Sequence, residues 1–139
     1  MLNELRSFGI QAGAVFLDLD FVFIDGGRKP KWIIILSDNL ANDGIIFTLT
    51  TSQVASYSGS FRDYILVKKE DNECFDKDCI IEIERTGFID SEIVLNKCRS
   101  QLLKYKGDIS PELFKQILDK IAECRSIDNI IKKELGVYE

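Results

Sequence analysis

Period-two alternation dominates the first half of the chain. Val15, Leu17, Leu19, Phe21 and Phe23 form one apolar series, interleaved with Ala14, Phe16, Asp18, Asp20 and Val22. This predicts a strand over 14–23 with one wholly apolar face. Asp25-Gly26-Gly27 breaks it. Arg28-Lys29-Pro30 follows as an exposed basic loop, because proline holds Lys29 out of helical geometry. Residues 32–36 are continuously apolar and rich in isoleucine, as in a strand buried on both faces. Residues 37–44 are dense in Asp, Asn and Gly and predict a turn. Further strands are expected at 45–50, 64–67 and 80–83, joined by polar connections. Short strands so connected point to a small antiparallel barrel.

Helical spacing takes over near the end. Ser110-Pro111-Glu112 supplies an N-cap, a proline at the first helical position and an acid in the first turn, and Phe114, Ile117, Leu118 and Ile121 recur behind it. Ser126 is read as the cap of a short helix through Ile127, Ile130 and Ile131 that ends at Gly136, and residues 92–105 as a further helix. The whole pattern predicts one α+β domain over 1–139, mostly β, with a barrel over about 12–84 and helices over about 90–136.

Composition narrows this picture. A chain of 139 residues with 45% apolar and 29% charged types suits one soluble core. Its longest apolar run, 32–36, is far short of a membrane span, and its start lacks a signal peptide's apolar stretch, so a cytoplasmic location away from membranes is expected. With 18 basic against 23 acidic residues the net charge is −5, which argues against a surface coated in positive potential and leaves room only for a local basic site. Cys74, Cys79, Cys98 and Cys124 contain no CxxC pair and the chain has no histidine. Reduced thiols are expected, with no metal and no cofactor, and every histidine-dependent catalytic scheme is excluded.

Candidate chemistry comes from the second and third strands. Pairing 31–36 antiparallel with 45–50 sets Lys31 opposite Thr50 and Pro30 opposite Thr51. Arg28, Lys29 and Lys31 then share one hairpin end with Thr50, Thr51, Ser52 and Gln53. Cations beside hydroxyls suit a phosphate, whose charge they neutralise and whose oxygens they hydrogen-bond. Adjacent threonines point to opposite faces, so one serves while the other packs, and Thr51 is the preferred one. Ser56-Tyr57-Ser58, with Phe61 nearby, reads first as a flexible polar loop with an aromatic anchor to the core and second as a base-stacking and backbone contact above the site, through Tyr57. Asp18 and Asp20 read as exposed acids rather than a cation site, Gly26-Gly27 lacks the pattern of a nucleotide-binding loop, and Arg85, Lys97, Arg99, Lys104 and Lys106 read as solvated surface.

Gly13-Ala14-Val15-Phe16-Leu17, then Gly27-Arg28-Lys29-Pro30 running into Trp32-Ile33-Ile34-Ile35-Leu36-Ser37-Asp38-Asn39, then Leu49-Thr50-Thr51-Ser52, resembles MazF/PemK-type toxins in order and spacing. Phe75-Asp76-Lys77-Asp78-Cys79-Ile80-Ile81 is similar to that family's segment before its fifth strand. Gly107-Asp108-Ile109-Ser110 is similar to the lead into its C-terminal helix. The resemblance implies an SH3-like barrel with C-terminal helices and a homodimer. It further implies a metal-independent endoribonuclease that cuts single-stranded RNA by attack of the 2′-hydroxyl on the adjacent phosphate. The family's arginine before proline falls on Lys29, with Arg28 one residue earlier, and its threonine on Thr51 or Thr50. These four are the expected catalytic residues, with Lys31, Ser52, Gln53 and Tyr57 as substrate contacts. A small antitoxin with a disordered acidic tail is the implied partner. The alternatives are a catalytically silent barrel that binds protein or RNA and, through kinship with CcdB toxins, a poison of DNA topoisomerase.

Overall fold

The computed structural model describes residues 2–37, 44–53 and 63–137. In chain order the elements are α1 (Leu2–Ser7), β1 (Ala14–Val22), β2 (Arg28–Ser37), β3 (Gly44–Thr51), β4 (Tyr64–Val67), β5 (Cys79–Asp90), α2 (Ser91–Arg99), β6 (Leu103–Asp108), α3 (Pro111–Glu123) and α4 (Asn129–Glu134). The six strands form one sheet in the order β4-β5-β3-β2-β1-β6, every neighbouring pair antiparallel. The fold is α+β with more strand than helix.

Both faces of the sheet are covered, which is why β2 carries the unbroken apolar run 32–36 and β3 is buried along nearly all its length. Ile34, Leu36 and Ile46 pack with Leu113, Ile117 and Ile121 of α3. Ile33, Ile35, Ile45 and Phe47 pack on the other side with Leu5 of α1 and Val94, Leu95 and Cys98 of α2. Each fully buried aliphatic side chain of this kind contributes roughly 1.5–3 kcal/mol. Among the described residues no helix is long and apolar enough to cross a membrane.

Several expectations are corrected by bulges and edges. The period-two series in β1 crosses an irregularity between Asp18 and Phe21, so the single apolar face does not exist. Val15 lies in one core, Phe21 in the other, and Leu19 is 40% exposed. Asp18 is fully buried rather than exposed, because Lys97 reaches it from α2 at 2.7 Å. Residues 28–30 are the exposed first residues of β2, not a loop. The helix expected over 92–105 stops at Arg99. Gln101 then takes a φ of 60° and the chain turns into β6, which covers the free side of β1. Asp128, not Ser126, caps α4 through the Ile130 amide, whereas Ser110 caps α3 as expected. The N-terminal helix α1 went unforeseen.

The fifth strand is three times its expected length. It holds β4 along its first third and β3 along its whole span, with residues 83–86 facing only Thr48. Thr86 Oγ1 donates to Ile83 O at 2.7 Å and lies 3.2 Å from Thr48 Oγ1, while the Thr48 hydroxyl donates to Glu82 O at 3.3 Å. These buried hydroxyls satisfy backbone groups that the bulge takes out of the ladder.

Candidate functional site

At one end of the β2–β3 hairpin lies a groove of about 250 Å³. Its walls are Lys29, Pro30, Lys31 and Trp32 from β2, Thr50 to Gln53 from the end of β3, and Phe75, Asp76, Lys77 and Cys79 from the entry to β5. The hairpin end therefore does bring Lys29 and Lys31 together with Thr50, Thr51, Ser52 and Gln53. Its register is one residue out from the sequence expectation. Ile33 pairs with Leu49 and Ile35 with Phe47, which when continued sets Trp32 beside Thr50 and Lys31 beside Thr51.

The two threonines differ in burial and in partners. Thr50 is 4% exposed and its hydroxyl donates to Trp32 O at 3.4 Å. Thr51 is half-buried, and its oxygen accepts from the Gln53 amide at 3.2 Å. Accepting that bond fixes the hydroxyl oxygen and does not use its proton.

The cations are not equivalent. Lys31 Nζ donates to Thr50 O at 2.8 Å and to Glu82 Oε1 at 2.9 Å, and Glu82 Oε2 also meets Arg85 Nε at 3.0 Å. Lys31 thus braces the end of β3, and its charge is matched by a carboxylate with only 6% of its side chain exposed. Lys29 is exposed, and its ammonium sits 5.3 Å from the centre of the Phe23 ring. Cation–π contact of this kind is worth about 0.5–1 kcal/mol at an exposed site, little enough for a phosphate to draw the ammonium across. Lys77 is exposed on the opposite wall.

Arg28 is placed elsewhere. Its guanidinium binds Asp20 Oδ2 at 2.7 Å and lines a second, larger groove of about 1110 Å³. That groove is mainly apolar, with Phe21, Ile24, Phe47, Phe88 and Ile93 in its walls, and its cations Arg28, Arg85 and Lys97 are each held by an acid. Tyr57, with Ser56, Ser58 and Phe61, lies outside the described residues. Among the described residues there is no group of three or more Cys, Asp or Glu placed to hold a metal ion.

Sequence reasoning missed Glu82, Trp32 and Lys77 as site residues. Glu82 is the one acid on the buried stretch 79–83 of β5, a signal that was open to reading. Lys77 and Phe75 arrive from a connection whose path only the tertiary fold reveals. In comparisons with known proteins, the chain matches no protein-family model and no curated protein.

Proposed function

We propose that this chain is a divergent MazF/PemK-like toxin, its sheet an SH3-like barrel, that cleaves single-stranded RNA without a metal. The observation that carries this reading is the shared groove of Lys29 and Thr51, an exposed ammonium and a hydroxyl with a proton to give. An RNA phosphate seated there is neutralised by Lys29, with Lys77 opposite. Its non-bridging oxygen accepts from Thr51 as the 2′-oxygen attacks phosphorus and charge builds on the phosphorane. The 5′-oxygen leaves with a proton from Lys29, the 2′-proton passes to water, and a cyclic phosphate and a 5′-hydroxyl end result. An ammonium can give up a proton, which a guanidinium does far less readily. A homodimer, a cytoplasmic setting and an antitoxin with a disordered acidic tail belong to the same proposal.

The experiment is incubation of RNA with pure protein in excess chelator. Cyclic-phosphate ends are expected, and their loss in Lys29→Ala and Thr51→Ala. Cleavage by both variants at the native rate rejects the assignment.

One observation favours a second reading, a silent module that binds RNA or protein in the same groove. The groove's lining cations are lysines, while Arg28 is tied to Asp20, so the planar fork that grips two phosphate oxygens is missing from it. Cleavage that arises only in Lys29→Arg would establish this alternative.

A further inference from the structure

We infer that the larger, apolar groove is closed by the same groove of a second copy of the chain. The inference gives a face to the homodimer of the reading above and stands whether or not RNA is cut. The groove, of about 1110 Å³, runs between the end of β1 with its following turn, the distal half of β5, and Ile93 and Lys97 of α2. Its depth is built from buried aromatic rings. Phe21 packs edge-on against both Phe23 and Phe47, with centroids 5.0 and 5.8 Å apart. Gly87 keeps this depth open, because the position of a Cβ there already stands 3.4 Å from the Phe47 ring and any longer side chain would spread over it. The rim, by contrast, is bare. Val22, Phe88 and Ile93 are each about half exposed, and Ile24, at 110% of its reference area, makes no burying contact with its own chain.

Four observations favour a second copy as the occupant. The first is shape: a projecting isoleucine and an open apolar groove stand on one face, and a two-fold contact between identical faces supplies each with the other. A small molecule in the groove would leave Ile24 in water. The second is area. Ile24, Val22, Phe88 and Ile93 expose roughly 500 Å² per copy, the size at which an apolar patch of a lone chain marks a site. One side of a stable dimer buries about 800 Å², about 65% of it apolar in homodimers, which is the same quantity. The third is charge. The chain carries a net −5, yet Asp20, Asp25 and Glu84 balance Arg28, Arg85 and Lys97 around the groove. Two copies therefore meet here without the repulsion that their net charge imposes elsewhere, and interspersed signs let acids of one copy meet bases of the other. A polyanion or a basic partner finds no matching field. The fourth is position: Phe23 lines this groove and carries the Lys29 ammonium 5.3 Å from its ring centre. A second copy that holds Phe23 thus steadies the seat of Lys29.

The test is sedimentation equilibrium of the full chain from micromolar to near-millimolar concentration. The native chain should reach twice its monomer mass in a concentration-dependent way. Ile24→Lys and Ile93→Glu should each weaken association by about 30-fold or more, the loss typical of a residue central to an interface. Ile130→Lys is the control, since Ile130 is 67% exposed on α4 and does not line the groove; it should dimerise as the native chain does. All three positions are exposed, so folding is not at stake. A native chain that stays monomeric throughout overturns the contact, whatever else then fills the groove. A native dimer that persists in both groove variants, or that Ile130→Lys disrupts equally, overturns this face and leaves a homodimer through another one. RNA cleavage by a monomeric native chain overturns the contact alone and leaves the cleavage reading standing.

Discussion

Lys31 and Glu82 stand 51 residues apart in sequence and meet at 2.9 Å, in an ion pair that joins the start of β2 to the strand beyond its neighbour. Each is only slightly exposed, at 13% and 6% of the side chain. Taking both from water is costly, and the pair holds because Thr50 O and Arg85 satisfy the remaining donors and acceptors. Removing Glu82 strands a nearly buried ammonium, so Glu82→Ala should lose about 3 kcal/mol in urea unfolding. Lys31→Met leaves Glu82 with Arg85 and should lose about 1–2 kcal/mol. The double variant should be more stable than the two losses combined imply, by about 1–3 kcal/mol. Strict additivity would show that the two side chains do not interact.

Thr50 and Thr51 are neighbours with opposite duties. On the proposed reading Thr51→Ala removes a donor to the phosphate and should lower RNA cleavage by about 10²–10³-fold while leaving the unfolding midpoint almost unchanged. Thr50→Val removes a buried hydroxyl bonded to Trp32 O and should cost about 1 kcal/mol of stability with cleavage retained. Kinetics that put the large loss on Thr50→Val would reverse the assignment of faces.

The register explains how much of this was legible. Residue types and turn positions place the basic segment and the threonines at one hairpin end, because both strands are apolar and the turn is rich in Asp, Asn and Gly. They do not fix the register to one residue, since both faces of β2 and β3 are buried and a slip changes no hydrophobic count. Trp32 thus moved to Thr50's side unannounced. The strand pattern of β1 failed at its bulge for a related reason: Asp18 looked solvent-facing because its partner, Lys97, lies 79 residues away on a helix. The alternation in β6, Leu103-Lys104-Tyr105-Lys106, spans only four residues, too short to outweigh the helical spacing that precedes it. Leu103–Asp108 is polar and becomes a strand by covering the side of β1 left open by β2. The α3 helix, whose cap, proline and apolar spacing are all local, read correctly within a residue or two.

Gly107 answers to the same tertiary demand. Its φ of 124° lies in the region L side chains avoid, at the irregularity where β6 pairs with Val15 and then Phe16. A Cβ there would sit 3.1 Å from Cys74 Cβ. Gly107→Ala combines backbone strain with a contact against a neighbouring chain segment and should cost about 2–4 kcal/mol. Gly26→Ala, at a φ of 88° with open space around it, carries the strain alone and should cost about 1–2 kcal/mol. Equal thermal shifts in the two variants would mean that packing against Cys74 contributes nothing.

Acid should loosen the connection that delivers Lys77 to the groove. The Lys69 amide donates to Asp78 Oδ1 at 2.9 Å, which holds this carboxyl below its usual value of 3.8, and the Lys68 ammonium adds to the effect. A depressed folded-state pKa gives stability that is present above the unfolded value and lost as pH falls through the folded one. Unfolding midpoints should therefore decline below about pH 4, and Asp78→Asn should flatten that part of the profile. Because Asp78 is exposed the change is small. A native profile identical to that of Asp78→Asn would remove Asp78 from this role.

The thiols report on the two cores. Burial pushes Cys79 up to about 12 and Cys98 to about 11, with acids and a neighbouring thiol adding to the effect at Cys79 and Glu4 at Cys98. Cys124 is 1% exposed. Cys74 is half-buried and raised from 9.0 mainly by desolvation, and it alone has a surface open to reagent. Only the thiolate attacks a disulfide reagent, so reaction needs both exposure and deprotonation. At pH 8 the folded chain should release one equivalent from DTNB, slowly, with a rate that rises on going to pH 9. All four cysteines should react in denaturant, and Cys74→Ser should abolish the folded-state signal. Rapid labelling of two or more thiols in the folded chain would contradict the sealed sheet faces on which both cores depend.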